Sequence, residues 1–246
     1  MIYDYWDGSS WSGSATDLIL PKTIETKLLS NSSEIQTRFY SYTPEGLPTT
    51  FSKENDIKHS CIWDYHSTYP IAKVENADIS SIAYTSFESD GKGGWTFTGS
   101  VTSDATSPTG SKCYSASSSI TKSSLTNATY IVSYWGKNGS VTVNSVGPTR
   151  TGKTIGNWTY YEHELTATSV TVSGNKYIDE LRLYPKGAKM TTYTYAPLIG
   201  VTSQCSINNQ IIYYEYDNFN RVRLIRDEDR NVIRKTEYRN LATPQQ

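Results

Sequence analysis

Alternation of apolar and polar side chains is clearest in the C-terminal part of the chain, from Ile211 to Tyr238. Aromatic or aliphatic residues occupy every second position in three short runs, and segments rich in Asn and Asp separate the runs. A period of two is that of a half-buried β-strand, and short amide and carboxylate side chains favour tight turns. The pattern therefore predicts three strands joined by two turns, at residues 218–220 and 227–231.

Tyrosine recurs at a nearly constant interval in the same region. Tyr195, Tyr216 and Tyr238 are separated by 21 and 22 residues, and nearer the N-terminus Tyr42 and Tyr65 are separated by 23. A fixed period of this length indicates a repeat architecture. The N-terminal strands are therefore predicted to be relatives of the C-terminal ones.

The C-terminal strands and turns resemble the units of the YD-repeat (RHS-type) family. Such a unit has a Tyr-Asp pair, a Gly-Arg turn, a strand and an Asp-x-x-Gly-Asn turn. The matching residues here are Tyr216, Asp217, Arg221, Asp227 and Asn231. Asn220 and Arg230 stand where the family usually has glycine. Because arginine enters the left-handed backbone region less readily than asparagine, the second turn is expected to differ.

A second stretch, residues 63–77, resembles a phrase from large repeat-bearing surface proteins of Bacteroidetes-type bacteria, where it precedes an insertion. Together the two resemblances imply an extended sheet or shell and a secreted or cell-surface location. They also imply neighbouring YD repeats of a longer parent chain as partners. The residues after Met1 show neither the basic nor the apolar segment of a signal peptide, so the sequence is expected to be cut from that longer chain.

Composition changes between about residue 80 and residue 183, where Ser, Thr and Gly become frequent and short strands follow at the spacing of a β-sandwich. No stretch sustains helical periodicity. The predicted fold class is all-β, with YD-repeat antiparallel strands on both sides of an inserted jelly-roll β-sandwich. The expected domains are 1–79 and 187–246 for the repeat strands and 80–186 for the sandwich. Both sets of repeat strands are expected to belong to one framework.

The interrupting segment resembles galactose-binding-like jelly rolls, the architecture of many carbohydrate-binding modules. The resemblance rests on five phrases in order, at residues 86–88, 109–112, 130–135, 156–158 and 178–180. It implies a structural calcium ion held by Glu88 and Asp179 with help from Asp90, since calcium takes several hard oxygen ligands. The alternative is that Glu88 caps a turn and Asp179 pairs with a nearby Lys or Arg. Glu180, beside Asp179, is expected to face solvent.

Aromatic side chains are the candidates for a sugar site, because a flat ring stacks on the apolar face of a pyranose while polar neighbours bind hydroxyl groups. Trp95, Trp135 and Tyr160 are the predicted ligand-binding residues. Trp95 lies beside a Gly-rich stretch and is expected to be the best exposed of them. A loop tryptophan folded back over the sandwich, and core packing for the strand aromatics, are the alternatives.

Charge and composition narrow the classes of function. The net charge is −1, which provides no electrostatic footprint for nucleic acid or an anionic membrane, and no apolar run is long enough to span a bilayer. A content of 20 tyrosines against 2 methionines is typical of all-β, often extracellular, proteins. Cys61, Cys113 and Cys205 are widely spaced and form neither a metal motif nor a disulfide framework.

No catalytic constellation is recognisable in the sequence. His59, His66 and His163 lack partners at the spacing of a metal site or a triad, and Glu162 and Glu164 are expected on an exposed strand face. The predicted function is that of a non-catalytic structural or interaction segment of a YD-repeat surface protein, with the sandwich as spacer or glycan-binding module. The alternatives are a free-standing carbohydrate-binding protein and a polysaccharide-active enzyme, which needs two carboxylates across a cleft.

Overall fold

The structure is a computed structural model that describes residues 1–11 and 18–238. This part of the chain is all-β with large antiparallel sheets, which confirms the predicted class. Its only helical element is the short 3₁₀ turn Ile79–Ser81. The third expected domain, 187–246, extends beyond the described residues.

Strands occur in three groups along the chain. The first group is β1 Ile2–Trp6, β2 Leu18–Thr26, β3 Glu34–Tyr42, β4 Pro48–Lys53, β5 His59–Asp64 and β6 Tyr69–Glu75. The second group is β7 Ala83–Thr85, β8 Val101–Ser103, β9 Lys112–Ser115, β10 Ile120–Lys122, β11 Ala128–Lys137, β12 Thr142–Val143, β13 Arg150–Ile155, β14 Trp158–Ala167, β15 Val170–Ser173 and β16 Tyr177–Pro185. The third group is β17 Lys189–Ala196, β18 Gly200–Cys205, β19 Ile211–Tyr216, β20 Val222–Arg226 and β21 Val232–Lys235.

The first and third groups form one antiparallel sheet of 11 strands, hereafter the long sheet. Its order follows the chain from β1 to β6, passes directly to β17, and then continues to β21. The central ladder pairs Val74 with Met190 and Ala72 with Thr192. The strands before and after the interrupting segment therefore lie side by side in one sheet, as expected from the tyrosine pattern.

The second group of strands, β7 to β16, is hereafter the sandwich unit. It contains a sheet of 7 strands and a sheet of 3 strands. Side chains from both sheets share one core, in which Val170 and Val172 of β15 join Tyr130 and Val132 of β11 and Leu181 of β16. Two sheets that enclose a common apolar layer are the arrangement of a β-sandwich.

In its central region the long sheet packs one face against the start of the sandwich unit. Ile62, Val74 and Met190 pack with Ile82 and Tyr84, which lie at the start of the sandwich unit. On the opposite face, a groove of about 660 Å³ is lined by side chains of β4, β5, β6 and β17. Alternating strand residues therefore divide between a covered face and an open one.

Candidate functional site

Four of the regularly spaced tyrosines make the same hydrogen bond, and we call this set the tyrosine ladder. Each hydroxyl donates to a backbone carbonyl of the preceding strand in the long sheet: Tyr42 to Pro21, Tyr195 to Pro70 (2.9 Å), Tyr216 to Val201 (2.9 Å) and Tyr238 to Val222 (3.1 Å). Burial raises the pKa of Tyr42, Tyr195 and Tyr216, so these hydroxyls keep the proton that they donate. Since Pro70 lies on β6, Tyr195 continues the ladder across the interruption.

Four turns of the long sheet also share one hydrogen-bond pattern, at residues 43–47, 206–210, 217–221 and 227–231. In each turn the amide of the first residue donates to the carbonyl of the fifth, and the amide of the fourth donates to the carbonyl of the first. The side-chain oxygen of the first residue accepts the amide of the fifth. The fourth residue is always left-handed, with φ of 85°, 59°, 58° and 66° for Gly46, Asn209, Asn220 and Arg230.

The expectation that the turn containing Arg230 differs from the turn before it is therefore wrong. Arg230 adopts the same left-handed conformation as Asn220, and its guanidinium lies 3.3 Å from the centroid of the Tyr213 ring. Such cation–π contacts are favourable, and they offset the backbone cost of placing a β-carbon there. Asn220 and Arg230 thus adopt the same turn geometry as Gly46.

A buried ion pair joins the sandwich unit to the long sheet. Glu180 and Arg182 of β16 are only 1% and 2% exposed, and Nη2 of Arg182 lies 2.8 Å from Oε1 of Glu180. The guanidinium also donates to the backbone carbonyls of Cys205 and Ser206 at the end of β18. The hydroxyl of Thr192 on β17 donates to Glu180. The pair therefore binds one unit to the other through charge-assisted hydrogen bonds.

Glu180 does not face solvent, so that expectation is wrong. The cause is a β-bulge in β16, where Asp179 and Arg182 pair with Trp135 and Ser133 of β11, and two residues, 180 and 181, oppose a single partner residue. Glu180 has a φ of 56° at this bulge. The extra residue directs the Leu181 side chain into the sandwich core and Glu180 toward the long sheet.

An aromatic cluster, hereafter the junction core, lies between the two units. The sandwich unit contributes Cys113, Trp135, Trp158 and Tyr160, and the long sheet contributes Cys205, Ile211 and Tyr213. The Tyr213 hydroxyl donates to the carbonyl of Pro108 at 2.7 Å, which is a further bond between the units. Close packing of large side chains from both units holds the sandwich unit in a fixed orientation on the long sheet.

The predicted sugar-binding aromatics are all buried. Trp135 and Tyr160, with exposed fractions of 0% and 7%, belong to the junction core. Trp95 is 3% exposed and packs in the core of the sandwich unit, so the expectation that it is the best exposed aromatic is wrong. The Gly93 carbonyl accepts the Tyr84 amide at 2.9 Å, which lays the Gly-rich loop against β7 and folds Trp95 inward. A sugar could stack on these three rings only if both the junction core and the core of the sandwich unit opened.

Asp179, one of the predicted calcium ligands, is fully buried. Its carboxylate accepts the amide and the hydroxyl of Thr109 at 2.9 and 3.1 Å. Burial, followed by the neighbouring charge of Glu180, raises the pKa of Asp179. Among the residues that the structure describes, Glu180 pairs with an arginine, whereas Asp179 forms an ion pair with neither a lysine nor an arginine.

The other two predicted calcium ligands have separate partners. Glu88 accepts the backbone amide of Ser111 at 2.7 Å, which is the turn-capping role left as the alternative. Asp90 accepts the amide of His66 at 3.2 Å. Within residues 1–11 and 18–238, no three His, Cys, Asp or Glu side chains form a group that could hold a metal ion. The calcium site stays a prediction.

His163 and His59 lie in different surroundings, and Cys61 shares those of His59. His163 is buried beside the Tyr134 hydroxyl, and burial lowers its pKa to about 4, so the ring is neutral at pH 7. His59 and Cys61 line the groove on the open face of the long sheet, where His59 stacks on Phe51. Burial raises the pKa of the Cys61 thiol, which favours its less nucleophilic protonated form.

Sequence reasoning missed Arg182 as a junction residue. The available signal was a strand in which Asp179, Glu180 and Arg182 interrupt a run of apolar residues. Charged side chains in a strand that is otherwise apolar on both faces indicate internal pairing, because an unpaired buried charge is costly.

No family model matches the sequence, and no curated protein matches it. Among the residues that the structure describes, no helix is long and apolar enough to cross a bilayer.

Proposed function

We propose that this chain is a non-catalytic structural segment of a larger secreted or cell-surface protein built from YD-type repeats. The long sheet would be part of an extended sheet or shell made by neighbouring repeats of the parent chain. The sandwich unit, a jelly roll inserted between two repeats, would project from it as a spacer or glycan-binding module.

The observation that supports this proposal most strongly is the continuity of the tyrosine ladder across the insertion. Tyr195 donates to Pro70 of β6 in the same way as Tyr216 donates to Val201 of β18. In sequence the first pair is 125 residues apart and the second 15. The same contact forms whether or not a long segment separates the two residues in sequence. This is expected of a repeat array that carries an insertion.

The junction supports a rigid mounting of the sandwich unit. The Glu180–Arg182 pair and the junction core bury charged and aromatic groups between the units. A spacer joined only by flexible linkers would need neither contact. The sandwich unit would therefore hold any ligand at a fixed position relative to the repeat sheet.

Edge strands provide the test of the scaffold role. Within the described residues, β1 and β21 each have one neighbouring strand, and their unpaired backbone groups would pair with adjacent repeats in a longer chain. The isolated chain should therefore associate as its concentration rises, and multi-angle light scattering measures this. Replacing Ile233 of β21, which is 57% exposed, by lysine should weaken the association, because charge on an edge strand opposes pairing.

Leu28→Lys is the matched control, since Leu28 is 72% exposed but lies in the turn between β2 and β3. We expect this variant to associate like the unaltered chain. A chain that stays monomeric at every concentration, or association that both substitutions weaken equally, would count against repeat-edge pairing.

A further inference from the structure

A polar cleft lies beside the junction core, between the sandwich unit and the long sheet. Residues of β13 and β14 form one wall, and the turns that follow β18 and β20 form the other. Its volume is about 510 Å³, a size that accommodates a small ligand. Because each unit supplies one wall, the cleft exists only in the docked arrangement.

The charges of the cleft are balanced. Nη1 of Arg150 lies 3.6 Å from Oε2 of Glu162, and Lys153 forms an ion pair with Glu228 across the two walls. Two cations thus face two carboxylates. A net anionic or cationic ligand would gain no overall attraction from this set, whereas a neutral ligand meets donors and acceptors of both kinds.

Several polar groups of the cleft have unused hydrogen-bonding capacity. The Arg150 side chain is 67% exposed, and within the described residues its guanidinium donates no hydrogen bond. The side-chain amides of Asn208 and Gln210 likewise make none in that part of the chain. These planar groups match the paired hydroxyls of a sugar ring, since each can engage two adjacent oxygens.

An apolar contact completes the site. Ile207, which is 47% exposed, lines the same cleft and offers a surface for the C–H face of a pyranose. The Tyr160 hydroxyl donates to Glu162 at 3.1 Å and so orients that carboxylate, while the Tyr160 ring stays in the junction core. The combination of planar polar groups and one aliphatic patch suits a ligand with many hydroxyls.

We propose that this cleft binds a neutral oligosaccharide. The inference rests on the glycan-binding role proposed above for the sandwich unit, and it assigns that role to the junction rather than to the buried aromatic rings. Both units contribute, so the ligand would be held by the repeat sheet as well as by the insertion.

The experiment uses the full chain and defined probes: neutral gluco-, galacto- and manno-configured tetrasaccharides, each with the corresponding uronic acid oligomer. Saturation-transfer NMR detects binding, and calorimetry measures Kd. We expect at least one neutral tetrasaccharide to bind and its uronic acid counterpart to bind less tightly. Arg150→Ala and Asn208→Ala should each raise Kd about tenfold, as the loss of hydrogen bonds to a ligand predicts. Arg234→Ala, on the exposed strand β21, should leave Kd unchanged.

Three results would overturn the cleft assignment. The first is saccharide binding that Arg150→Ala and Asn208→Ala leave intact, which would place the sugar elsewhere on the chain. The second is tighter binding of a uronic acid oligomer, which would contradict a neutral ligand. The third is the absence of binding by every probe, which would leave the sandwich unit as a spacer. None of these results alters the association expected from the sheet edges, so the scaffold role is tested separately.

Discussion

Replacing Arg182 by methionine should destabilise the protein by about 3–5 kcal/mol, the usual cost of leaving a buried charge without its partner. Glu180 would keep hydrogen bonds from the hydroxyls of Tyr84 and Thr192 but would lose the cation that pairs with it. The carbonyls of Cys205 and Ser206 would lose the hydrogen bonds that the guanidinium donates. Urea denaturation followed by tryptophan fluorescence measures the change in the free energy of unfolding.

The matched control is Arg221→Met. Arg221 also pairs with a carboxylate, that of Asp217, but its side chain is 41% exposed. Because water replaces such a contact, we expect the free energy of unfolding to fall by no more than about 1 kcal/mol. Equal losses in the two variants would show that the Glu180–Arg182 pair is not buried in solution.

A double substitution distinguishes the effect of an unpaired buried charge on stability from the effect of any large substitution at the junction. Glu180→Leu combined with Arg182→Met removes both charges and leaves apolar groups of similar size. Because desolvation of the two charges is then avoided, the double variant should be more stable than Arg182→Met alone. A double variant less stable than the single one would contradict the pairing.

Trp135→Ala should have a comparable effect, a loss of about 3–5 kcal/mol, because a large ring leaves a cavity that rigid surroundings fill only in part. Trp135 is fully buried in the junction core and contacts Tyr160 edge-on, with ring centroids 5.9 Å apart. Its indole nitrogen has no hydrogen-bond partner in the described residues, so the loss comes from packing. Chemical denaturation again measures it.

Phe219→Ala provides the comparison for Trp135. Phe219 is 79% exposed in the turn after β19, so its removal should change the stability by no more than about 0.5 kcal/mol. If Trp135 were a solvent-facing platform for sugar, its replacement would be equally mild. A Trp135→Ala variant as stable as Phe219→Ala would therefore contradict the junction core.

Local patterns predicted the strands and the framework well. The alternation between Ile211 and Tyr238 and the even spacing of tyrosines can both be read from the sequence without knowledge of the packing. The first corresponds to strands of the long sheet, and the second to its tyrosine ladder. The shared turn geometry was only partly foreseen. The preference for glycine at left-handed positions predicts that the turn containing Arg230 differs. It does not differ, because Arg230 stacks on Tyr213, a residue outside the turn.

Exposure could not be predicted in the same way, because it depends on what packs against a residue from a distant part of the chain. Trp95 looks exposed in a Gly-rich loop, yet that loop folds onto β7. Trp135 lies on a strand face that would be open in a free sandwich, and the long sheet covers it here. Glu180 is buried through a bulge, a one-residue irregularity that alternation cannot reveal.

The ladder between β6 and β17 is the feature on which the proposed scaffold role depends, and nuclear Overhauser effects between backbone protons test it most directly. In deuterated protein we expect effects between the amide protons of Lys73 and Thr191 and between those of Glu75 and Lys189, because the amides of these pairs point toward each other across the ladder. They should be as strong as those between Ile62 and Ala72 in the adjacent β5–β6 pair. Intact β5–β6 effects together with none between β6 and β17 would contradict a single sheet.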